Sequence, residues 1–556
     1  MPIEQYPRRT STPPPRYVPA PAADAATTTR IAAIVIQAGA FATVLAALPY
    51  PIFQLDRYTY PKELVLGVAA LAAALLCLAS ARRLSIFMVD ALLAAFLAVS
   101  AVSALFATNG WLAFRALGVS LAGAALFWSA RTIARSGRRE ALLMGLAIAV
   151  VLGAVTGLVQ AYGLVETSLA SLSRAPGGTF GNRNFMAHLV AVGLPVLLYV
   201  SVESRSRVGF GLGAAGLALG AAALVLSRSR AAWLGAGACG VFLAVEGLWM
   251  GRLWIEERLR RRVVSLATVA AASLVLALLV PNRLNWRSDS PYLESLTGVA
   301  NYKEGSGRGR LIQWENSLTM ATRHPLLGVG PGNWPVHYPR YRSKGDPSFD
   351  GDDIIPTNPW PSSDWMAMLS ERGFPAFVLL ALVGGSIALG AWARVRRGSR
   401  QTPALTDLTI VATLLAIGVV GAFDAVLLLP APTLFAWTII GALASSARPV
   451  RELSLTPPVR RRVMVSVAIV GAAFLTRSAA QTIAMGVFGD GRRASMETAA
   501  AIDPGSYRIH MLLGRSWARA GRCDRALPHA TAARELFPYH PAPQQLLRAC
   551  GMRARR

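Results

Sequence analysis

Paired arginines are the residues of this sequence whose type and spacing most directly suggest chemistry. Arg228 and Arg230 stand two positions apart, and so do Arg308 and Arg310. A guanidinium group binds a phosphate through two parallel hydrogen bonds, and the free N–H groups at a helix N-terminus favour the same ligand. Together with Arg115, these arginines suggest a site for a phosphate-bearing ligand.

The composition indicates what kind of protein must position them. Of the 556 residues, 54% are hydrophobic and 15% are charged, with a mean hydropathy of +0.43 and a net charge of +27. A soluble domain of this size carries roughly a quarter charged residues. A nucleic-acid binder shows lysine clusters and basic residues interleaved with aromatic ones, which this chain lacks. The composition predicts an all-α, polytopic membrane protein without a nucleic-acid partner.

Long apolar stretches predict a transmembrane helix bundle of about 12 to 13 spans, since about 20 apolar residues cross the hydrocarbon core. Proline residues interrupt the twelfth stretch, which makes it the weakest of the set. The predicted spans begin near Ile31, Leu64, Ile86, Leu112, Ala141, Phe185, Val208, Ala231, Val263, Trp365, Leu405, Val426 and Val463.

Arginine is concentrated in alternate loops, which places those loops and the N-terminus in the cytoplasm. An odd number of spans then leaves the C-terminus on the other side of the membrane. The chain is expected to divide into five parts. These are a disordered cytoplasmic tail (1–30), transmembrane helices 1–9 (31–280), a large outer loop (281–364), transmembrane helices 10–13 (365–485) and an outer tail (490–556).

The large loop contains an amphipathic pattern. It begins at Arg308 and Arg310 and places Leu311, Trp314 and Leu318 at spacings of three and four residues. This pattern predicts a helix whose apolar stripe suits the membrane surface. The arginines at its start would face a ligand on the outer side.

The outer tail has the spacing of a tetratricopeptide-like helical repeat of 34 residues. One full repeat flanked by two partial ones is too short to be stable alone, so the tail is expected either to pack on the membrane domain or to dock a partner protein. The positions that carry the pattern are Leu513, Gly514, Trp517, Gly521, Ala526, Ala533 and Pro538.

The four cysteines form two pairs of different kinds. Cys523 opens the second helix of the repeat and Cys550 closes the next, so antiparallel packing brings them together. In an oxidising compartment we expect them to form a disulfide bond. Cys77 and Cys239 lie in predicted spans, where we interpret them as packing residues.

We find no sequence signature of a cofactor. There is no Walker A motif, the glycine-rich turn 328–332 does not follow a strand, and no histidines and cysteines have metal-ligand spacing. We therefore expect neither a metal nor a nucleotide. The energy for a reaction would have to be stored in the substrate itself, as in a lipid diphosphate-linked sugar.

Six short motifs occur in an order that is typical of one family. They are residues 177–187 (GGTFGNRNFMA), Ser229-Arg230 followed by Trp233, Arg310 with Trp314, residues 324–334 (HPLLGVGPGNW), Glu371-Arg372-Gly373, and Phe423-Asp424 followed by Pro430. Together they resemble the motifs of the O-antigen ligase and polymerase-like membrane glycosyltransferases over roughly residues 30–450.

The resemblance implies a metal-independent glycosyltransferase of the bacterial inner membrane. Members of this family move a glycan from undecaprenyl diphosphate to an acceptor in the periplasm, as in lipopolysaccharide and polysaccharide biosynthesis. The acceptor is a lipid, a growing polysaccharide or a protein. By this resemblance the donor diphosphate would be bound by Arg230 and Arg310, with Arg228, Arg115, Asn182 and Asn184 completing the site.

The sequence departs from the family at one motif. A histidine is usual ahead of the Glu-x-Gly motif, where this chain has Ser362. A serine hydroxyl takes no proton at neutral pH without a base of its own. Asp364 or Glu371 would replace the histidine if burial raises its pKa, and His337 and His324 are near enough in sequence to approach.

Three functions remain open at this stage. The first is transfer of a glycan from undecaprenyl diphosphate, with Asp364, Glu371 or His337 as the candidate catalytic groups. The second, which the missing histidine motivates, is a non-catalytic scaffold that binds the lipid-linked glycan and recruits partners through its tail. A lipid-linked glycan transporter ranks last, because no internal repeat of paired halves is visible.

Overall fold

The computed structural model describes most of the chain. The predicted N-terminal tail lies outside the described residues up to residue 22, and the first helix begins at Ala23 rather than near Ile31. The described residues are 23–49, 54–164, 176–249, 257–286, 288–298, 305–343, 345–349, 354–355, 357–397 and 403–553.

The membrane part is an all-α bundle, as predicted. Each of the thirteen predicted spans is found as a helix that starts within ten residues of the expected position. The helices are α1 (Ala23–Leu45), α2 (Gln54–Ala79), α3 (Met88–Leu105), α4 (Gly110–Ile133), α5 (Arg139–Tyr162), α6 (Arg183–Glu203), α7 (Arg207–Ser227), α8 (Arg230–Trp249), α9 (Glu257–Leu279), α13 (Asp364–Arg396), α14 (Pro403–Phe423), α15 (Pro430–Leu443) and α16 (Pro457–Phe488).

Ten segments of the described chain are long and apolar enough to cross a membrane. One of these, Gly110–Tyr162, contains both α4 and α5, which are separated at Gly137, where the backbone takes a φ of +85°. Helices α8 and α15 are not among the ten but occupy two of the expected positions. The chain is therefore a multi-pass membrane protein.

Helix α15 lies at the centre of the bundle, and all of its residues are buried. It packs against α1, α2, α4, α5, α6 and α14. Helices α9 and α16 lie at the periphery, where α9 packs on α7 and α16 packs on α2. Few of the side chains in the apolar parts of α9 and α16 are buried in the protein alone, as expected for helices that face lipid.

The large loop between α9 and α13 contains three helices, α10 (Pro291–Thr297), α11 (Gly305–Arg323) and α12 (Trp334–His337). Helix α11 is the one that the spacing from Arg308 predicts. The side of the bundle that carries this loop is called the loop face below.

The C-terminal segment forms four further helices, α17 (Arg493–Ile502), α18 (Tyr507–Arg519), α19 (Cys523–Leu536) and α20 (Pro541–Arg553). We call them the C-terminal unit. Cys523 and Cys550 form a disulfide bond with a Cα–Cα distance of 5.3 Å, which confirms the predicted pair. The unit packs on the loop face through two apolar clusters, one of which includes Tyr60 of α2 and the other Val336 of α12.

A feature that the sequence did not predict lies on the opposite side of the bundle. Strand β1 (Arg83–Ile86), between α2 and α3, pairs with strand β2 (Arg451–Ser454), between α15 and α16. The two strands are antiparallel, with Arg83 opposite Ser454. We call this side the ribbon face.

Candidate functional site

Four arginines gather on the loop face, and we call them the arginine group. Arg183 is the first residue of α6, Arg228 and Arg230 stand at the junction of α7 and α8, and Arg310 lies in the second turn of α11. Arg183 and Arg228 lie over the same ring, that of Trp286, 5.3 and 4.6 Å from its centroid, and the positive charges of Arg228, Arg230 and Arg310 all act on Arg183.

Two members of the group are held by the large loop. Arg228 donates a hydrogen bond to the Ser295 hydroxyl at 2.8 Å and lies 3.8 Å from the exposed Glu294 carboxylate. Its guanidinium also lies over the ring of Trp286, 4.6 Å from the centroid. Arg230 donates to the backbone carbonyl of Gly298 at 2.7 Å. These contacts hold both side chains against α10 and the residue that ends it.

Each of these neighbouring cations disfavours the charged form of the other. Burial lowers the pKa of Arg228, and although Glu294 acts against this, the positive charge of Arg230 lowers it further. A cluster of like charges with one exposed carboxylate beside it is a favourable environment for an anion.

Arg310 is the member most available to a ligand. It is half-buried and makes no hydrogen bond or ion pair to another described residue, whereas its neighbour Arg308 is exposed. One turn further along α11, Trp314 packs against Phe423 at the end of α14, with ring centroids 5.9 Å apart. This contact fixes α11 against the bundle and keeps Arg310 beside the other arginines.

A polar cluster lies next to this group. Asn182 caps α6 by accepting a hydrogen bond from the backbone N–H of Asn184 at 2.8 Å. The Asn184 amide in turn donates to the Asp424 carboxylate at 3.2 Å, and the Trp360 indole N–H donates to the same carboxylate at 3.3 Å. Thus Asn182 shapes the helix start, and Asn184 holds Asp424.

His188 completes this cluster, and the sequence analysis did not single it out. Its Nε2 lies 3.8 Å from the Asp424 carboxylate and has no hydrogen-bond partner among the described residues. Its Nδ1 lies 3.2 Å from the Ala425 carbonyl oxygen, which fixes the proton on Nδ1 when the ring is neutral. Arg310 is close enough for its charge to act on this histidine. We call Asp424 and His188 the acid–histidine pair.

A large apolar cavity opens beside the arginine group. Its volume is about 1080 Å³, and it lies among α6, α7, α8, α9 and α14. Leu224 and Val225 of α7 and Trp233 of α8 line it close in sequence to Arg228 and Arg230. Tyr292 and Leu296 of α10 line it on the side of the large loop. A cationic group thus stands beside an apolar volume within the bundle.

Arg115, which the resemblance placed at the diphosphate, has a partner of its own. Its guanidinium donates to both oxygens of the Glu63 carboxylate, at distances of 2.5–2.9 Å, and lies over the ring of Tyr60. The Glu63 side chain is 3% exposed. A buried bidentate pair of this kind leaves Arg115 little capacity for a second anion.

Asp364 is also occupied. Its carboxylate is fully buried and accepts hydrogen bonds from the backbone N–H groups of Val426, Leu427 and Leu428 at 2.8–3.3 Å. The start of α13 is thereby tied to the segment that follows Asp424. Three backbone N–H groups thus already bond this carboxylate.

Glu371, on α13, binds backbone N–H groups of the large loop in a similar way. It accepts hydrogen bonds from the N–H groups of Gly332 at 2.8 Å and Trp334 at 3.3 Å, so it holds the glycine-rich turn against α13. The turn approaches closely: a Cβ added to Gly328, where φ is +63°, would lie 2.2 Å from the Glu371 backbone carbon. Only glycine fits that position.

His337 lies under the C-terminal unit. Its Nε2 is 2.9 Å from the Thr108 hydroxyl, and its ring packs beside Tyr539. Burial, with the positive charges of His324 and Arg340, lowers the pKa of His337 to about 4. A general base works best with a pKa near the working pH, so this histidine is poorly suited to take a proton at neutral pH.

The structure therefore brings together Arg228, Arg230, Arg310, Asn182 and Asn184, while Arg115, Asp364, Glu371 and His337 are engaged elsewhere. It adds Arg183, Asp424 and His188. Of these three, His188 could have been found from its spacing in the sequence. Asn184 and His188 are four residues apart, which places them on one face of a helix. That pair is embedded in an apolar stretch, where a histidine is easily interpreted as a packing residue.

Residues 215–381 match the sequence model of a family described as O-antigen ligase. The match runs from α7 to α13 and so includes Arg228, Arg230, Arg310 and the whole large loop. It supports the O-antigen ligase family and, with it, a membrane glycosyltransferase or ligase. The motifs at 177–187 and 423–430 lie outside the matched residues. A comparison with curated proteins finds no match.

Proposed function

We propose that this protein transfers a glycan from undecaprenyl diphosphate to an acceptor at the loop face, which is then the periplasmic face of the inner membrane. The observation that carries the proposal is that four guanidinium groups act on one another's charge at the loop face, while Leu224, Val225 and Trp233, which lie close to Arg228 and Arg230 in sequence, line an apolar cavity of about 1080 Å³. A lipid diphosphate needs both: cations for its head and an apolar volume for its chain.

The arginine group would bind the donor diphosphate. Arg310 makes no competing hydrogen bond among the described residues, and the large loop already holds Arg230, so both can donate to phosphate oxygens. When the bond between the sugar and the diphosphate breaks, negative charge develops on the leaving oxygen. Fixed cations stabilise that charge without reorganisation, which is the main source of catalysis in such a site.

The acid–histidine pair would take the proton of the acceptor. An acceptor hydroxyl attacks the anomeric carbon, a new glycosidic bond forms, and undecaprenyl diphosphate leaves as an anion. The hydroxyl proton passes to the pair formed by Asp424 and His188, whose Nε2 has no hydrogen-bond partner among the described residues. Asn184 and Trp360 keep the Asp424 carboxylate in place. In this scheme His188 supplies the base that the sequence motif lacks.

Asp364, Glu371 and His337 act as positioning residues in this proposal. Asp364 holds the backbone that follows Asp424, and Glu371 holds the glycine-rich turn. Their substitution should therefore disturb the geometry of the site rather than remove a proton acceptor.

A reconstituted transfer assay tests the proposal. The purified protein in proteoliposomes is supplied with undecaprenyl-diphosphate-linked glycan and acceptor, and the product is followed by mass spectrometry. We expect Arg230→Ala and Arg310→Ala to abolish most transfer, while Arg308→Ala, on the exposed side of the same helix, keeps it. Transfer that is unchanged in both of the first two variants would contradict the site assignment.

The non-catalytic scaffold is the second candidate. It predicts that the protein binds the lipid-linked glycan but that no transfer product forms with any acceptor offered. Recruitment of a partner through residues 490–556 belongs to this candidate, and so does the prediction that deleting them abolishes assembly. Since the C-terminal unit packs on the loop face of its own chain, we favour the enzyme.

A further inference from the structure

A second cavity lies where the C-terminal unit meets the membrane helices and the large loop. Its volume is about 150 Å³. Glu63 of α2 and Arg115 of α4 line one side, Trp360 of the large loop lines another, and Gln481 of α16 and Asp503 of the C-terminal unit close it. Three parts of the chain that are distant in sequence thus enclose one polar space.

Several buried polar atoms around this cavity have no hydrogen-bond partner in the described part of the chain. They are Gln481 Oε1, Asp503 Oδ2 and Arg477 Nε. Their side chains are 2%, 0% and 7% exposed, and all three residues line the cavity. A buried polar atom without a partner costs free energy, so native proteins satisfy such atoms with a ligand or with ordered water.

The charges of the lining suit a neutral ligand. Glu63 pairs with Arg115, and Asp503 pairs with Arg477 at 2.5 Å, so the charged groups largely neutralise one another. This is the opposite of the arginine group, where cations are in excess. The unsatisfied atoms comprise two acceptors and one donor, which calls for a ligand with hydroxyl groups that both donate and accept.

The volume of this cavity and its aromatic wall both suit a bound sugar ring. The cavity has room for about five water molecules at roughly 30 Å³ each, and a single six-membered sugar ring has a comparable volume. The Trp360 indole belongs to the cavity wall, and its N–H donates to the Asp424 carboxylate. The cavity is therefore joined to the acid–histidine pair through one side chain.

We propose that this cavity binds one sugar unit of the glycan substrate and that the C-terminal unit forms one of its walls. The proposal rests on the proposed function, since it assigns a place to the saccharide of the same reaction. It also gives the C-terminal unit, which lies beyond the residues that match the family, a direct part in substrate recognition.

The test uses the full-length protein in nanodiscs and two probes. The first is the free oligosaccharide released by mild acid from the lipid-linked glycan of the native host, which has no diphosphate. The second is undecaprenyl diphosphate without a glycan. Gln481→Leu removes the unsatisfied acceptor and keeps the side-chain volume. Gln545→Leu, at an exposed position of α20, is the matched control.

We expect Gln481→Leu to weaken binding of the free oligosaccharide about tenfold, the loss of one hydrogen bond to a buried group, and to leave binding of undecaprenyl diphosphate unchanged. Gln545→Leu should change neither. Thermal unfolding of each variant verifies that the fold is kept, and Asp503→Asn provides a second variant if Gln481→Leu unfolds.

An oligosaccharide that does not bind the wild-type protein, or binds Gln481→Leu equally well, would overturn the proposal and leave a cavity that holds water. Binding of the second probe, undecaprenyl diphosphate, tests the proposed function separately. If Arg310→Ala binds undecaprenyl diphosphate as tightly as wild type does, the donor site is wrong, whatever happens at Gln481.

Discussion

Replacing Arg310 by glutamine should weaken donor binding without destabilising the protein. Arg310 makes no hydrogen bond or ion pair to another described residue and lies among three like charges. Glutamine keeps most of the stem and removes the charge. A structural arginine would respond in the opposite way, because its loss would leave a partner unsatisfied.

The magnitude follows from the two hydrogen bonds that a guanidinium forms with a phosphate. Hydrogen bonds to charged groups contribute about 1.5 kcal/mol each at the low end of their range, so two of them contribute about 3 kcal/mol, or roughly a hundredfold in Kd. Removing one of four neighbouring cations relieves repulsion on the order of 1 kcal/mol. The unliganded variant should therefore unfold at the same temperature as the wild type, or a higher one.

Both quantities are measurable on one sample. Binding of undecaprenyl diphosphate in nanodiscs gives the Kd, and a thermal melt without ligand gives the stability. Arg308→Gln is the matched control, because Arg308 is exposed and lies in the same turn of α11. A variant at Arg310 that melts several degrees lower and binds the donor normally would refute this reasoning, since Arg310 would then be a structural residue.

Three further predictions concern Arg115, His337 and His188. Arg115→Met should cost about 3 to 5 kcal/mol of stability, because it leaves the buried Glu63 carboxylate unpaired; the double variant with Glu63→Gln should recover most of it in the same unfolding assay, and full stability in the single variant would show that the pair contributes nothing. His337 is neutral in the folded protein down to a pKa of about 4 and titrates near 6.5 when unfolded, so the unfolded state binds the extra proton between these values. Stability should fall by about 3 kcal/mol as the pH drops from 6.5 to 4, and His337→Gln should lack this loss in denaturant titrations across that window; equal slopes in both proteins would rule the mechanism out. His188→Gln should lower kcat by about a hundredfold or more while the Kd of undecaprenyl diphosphate stays the same, and an unchanged kcat would exclude the acid–histidine pair as the proton acceptor.

The bundle was predictable because membrane helices are specified locally. A span is a run of about 20 apolar residues, and such a run is visible without any knowledge of its neighbours. The helix that carries Arg310 was visible for the same reason, since its apolar residues recur at spacings of three and four. The pairing of Cys523 with Cys550 was predictable from the antiparallel packing expected of adjacent short helices.

The hydrogen bonds of the carboxylates were not predictable, because they join distant segments. Asp364 receives its three hydrogen bonds from residues about sixty positions away, and Glu371 receives its two from residues about forty positions back. A sequence shows that a carboxylate is present in a polar stretch. It does not show whether backbone N–H groups already occupy that carboxylate.

The strand pair on the ribbon face was missed for a related reason. Residues 83–86 and 451–454 belong to loops rich in arginine, whose composition is sufficiently explained by membrane topology. Their pairing joins positions more than 350 residues apart, and four-residue strands have no periodicity that distinguishes them from a loop.

The strand pair also constrains how often the chain crosses the membrane. Two paired strands lie on the same side, so an even number of crossings must separate them. Ten helices of the bundle lie between β1 and β2, namely α3 to α9 and α13 to α15. Helix α15 has only 14 residues, which is about 21 Å and short of the hydrocarbon thickness.

If α15 alone failed to cross, the count would be nine and the strands would lie on opposite sides. The other eight helices are already even in number, so α8 and α15 either both cross or both fail to cross. Because α8, with 20 residues, has the full length to cross, we infer that both do. Its shortness is tolerated because it is surrounded by protein, where nonhelical backbone at either end is shielded from lipid. The same parity applies to the four crossings α13 to α16, so the large loop and the C-terminal unit share one side of the membrane, whichever side that is.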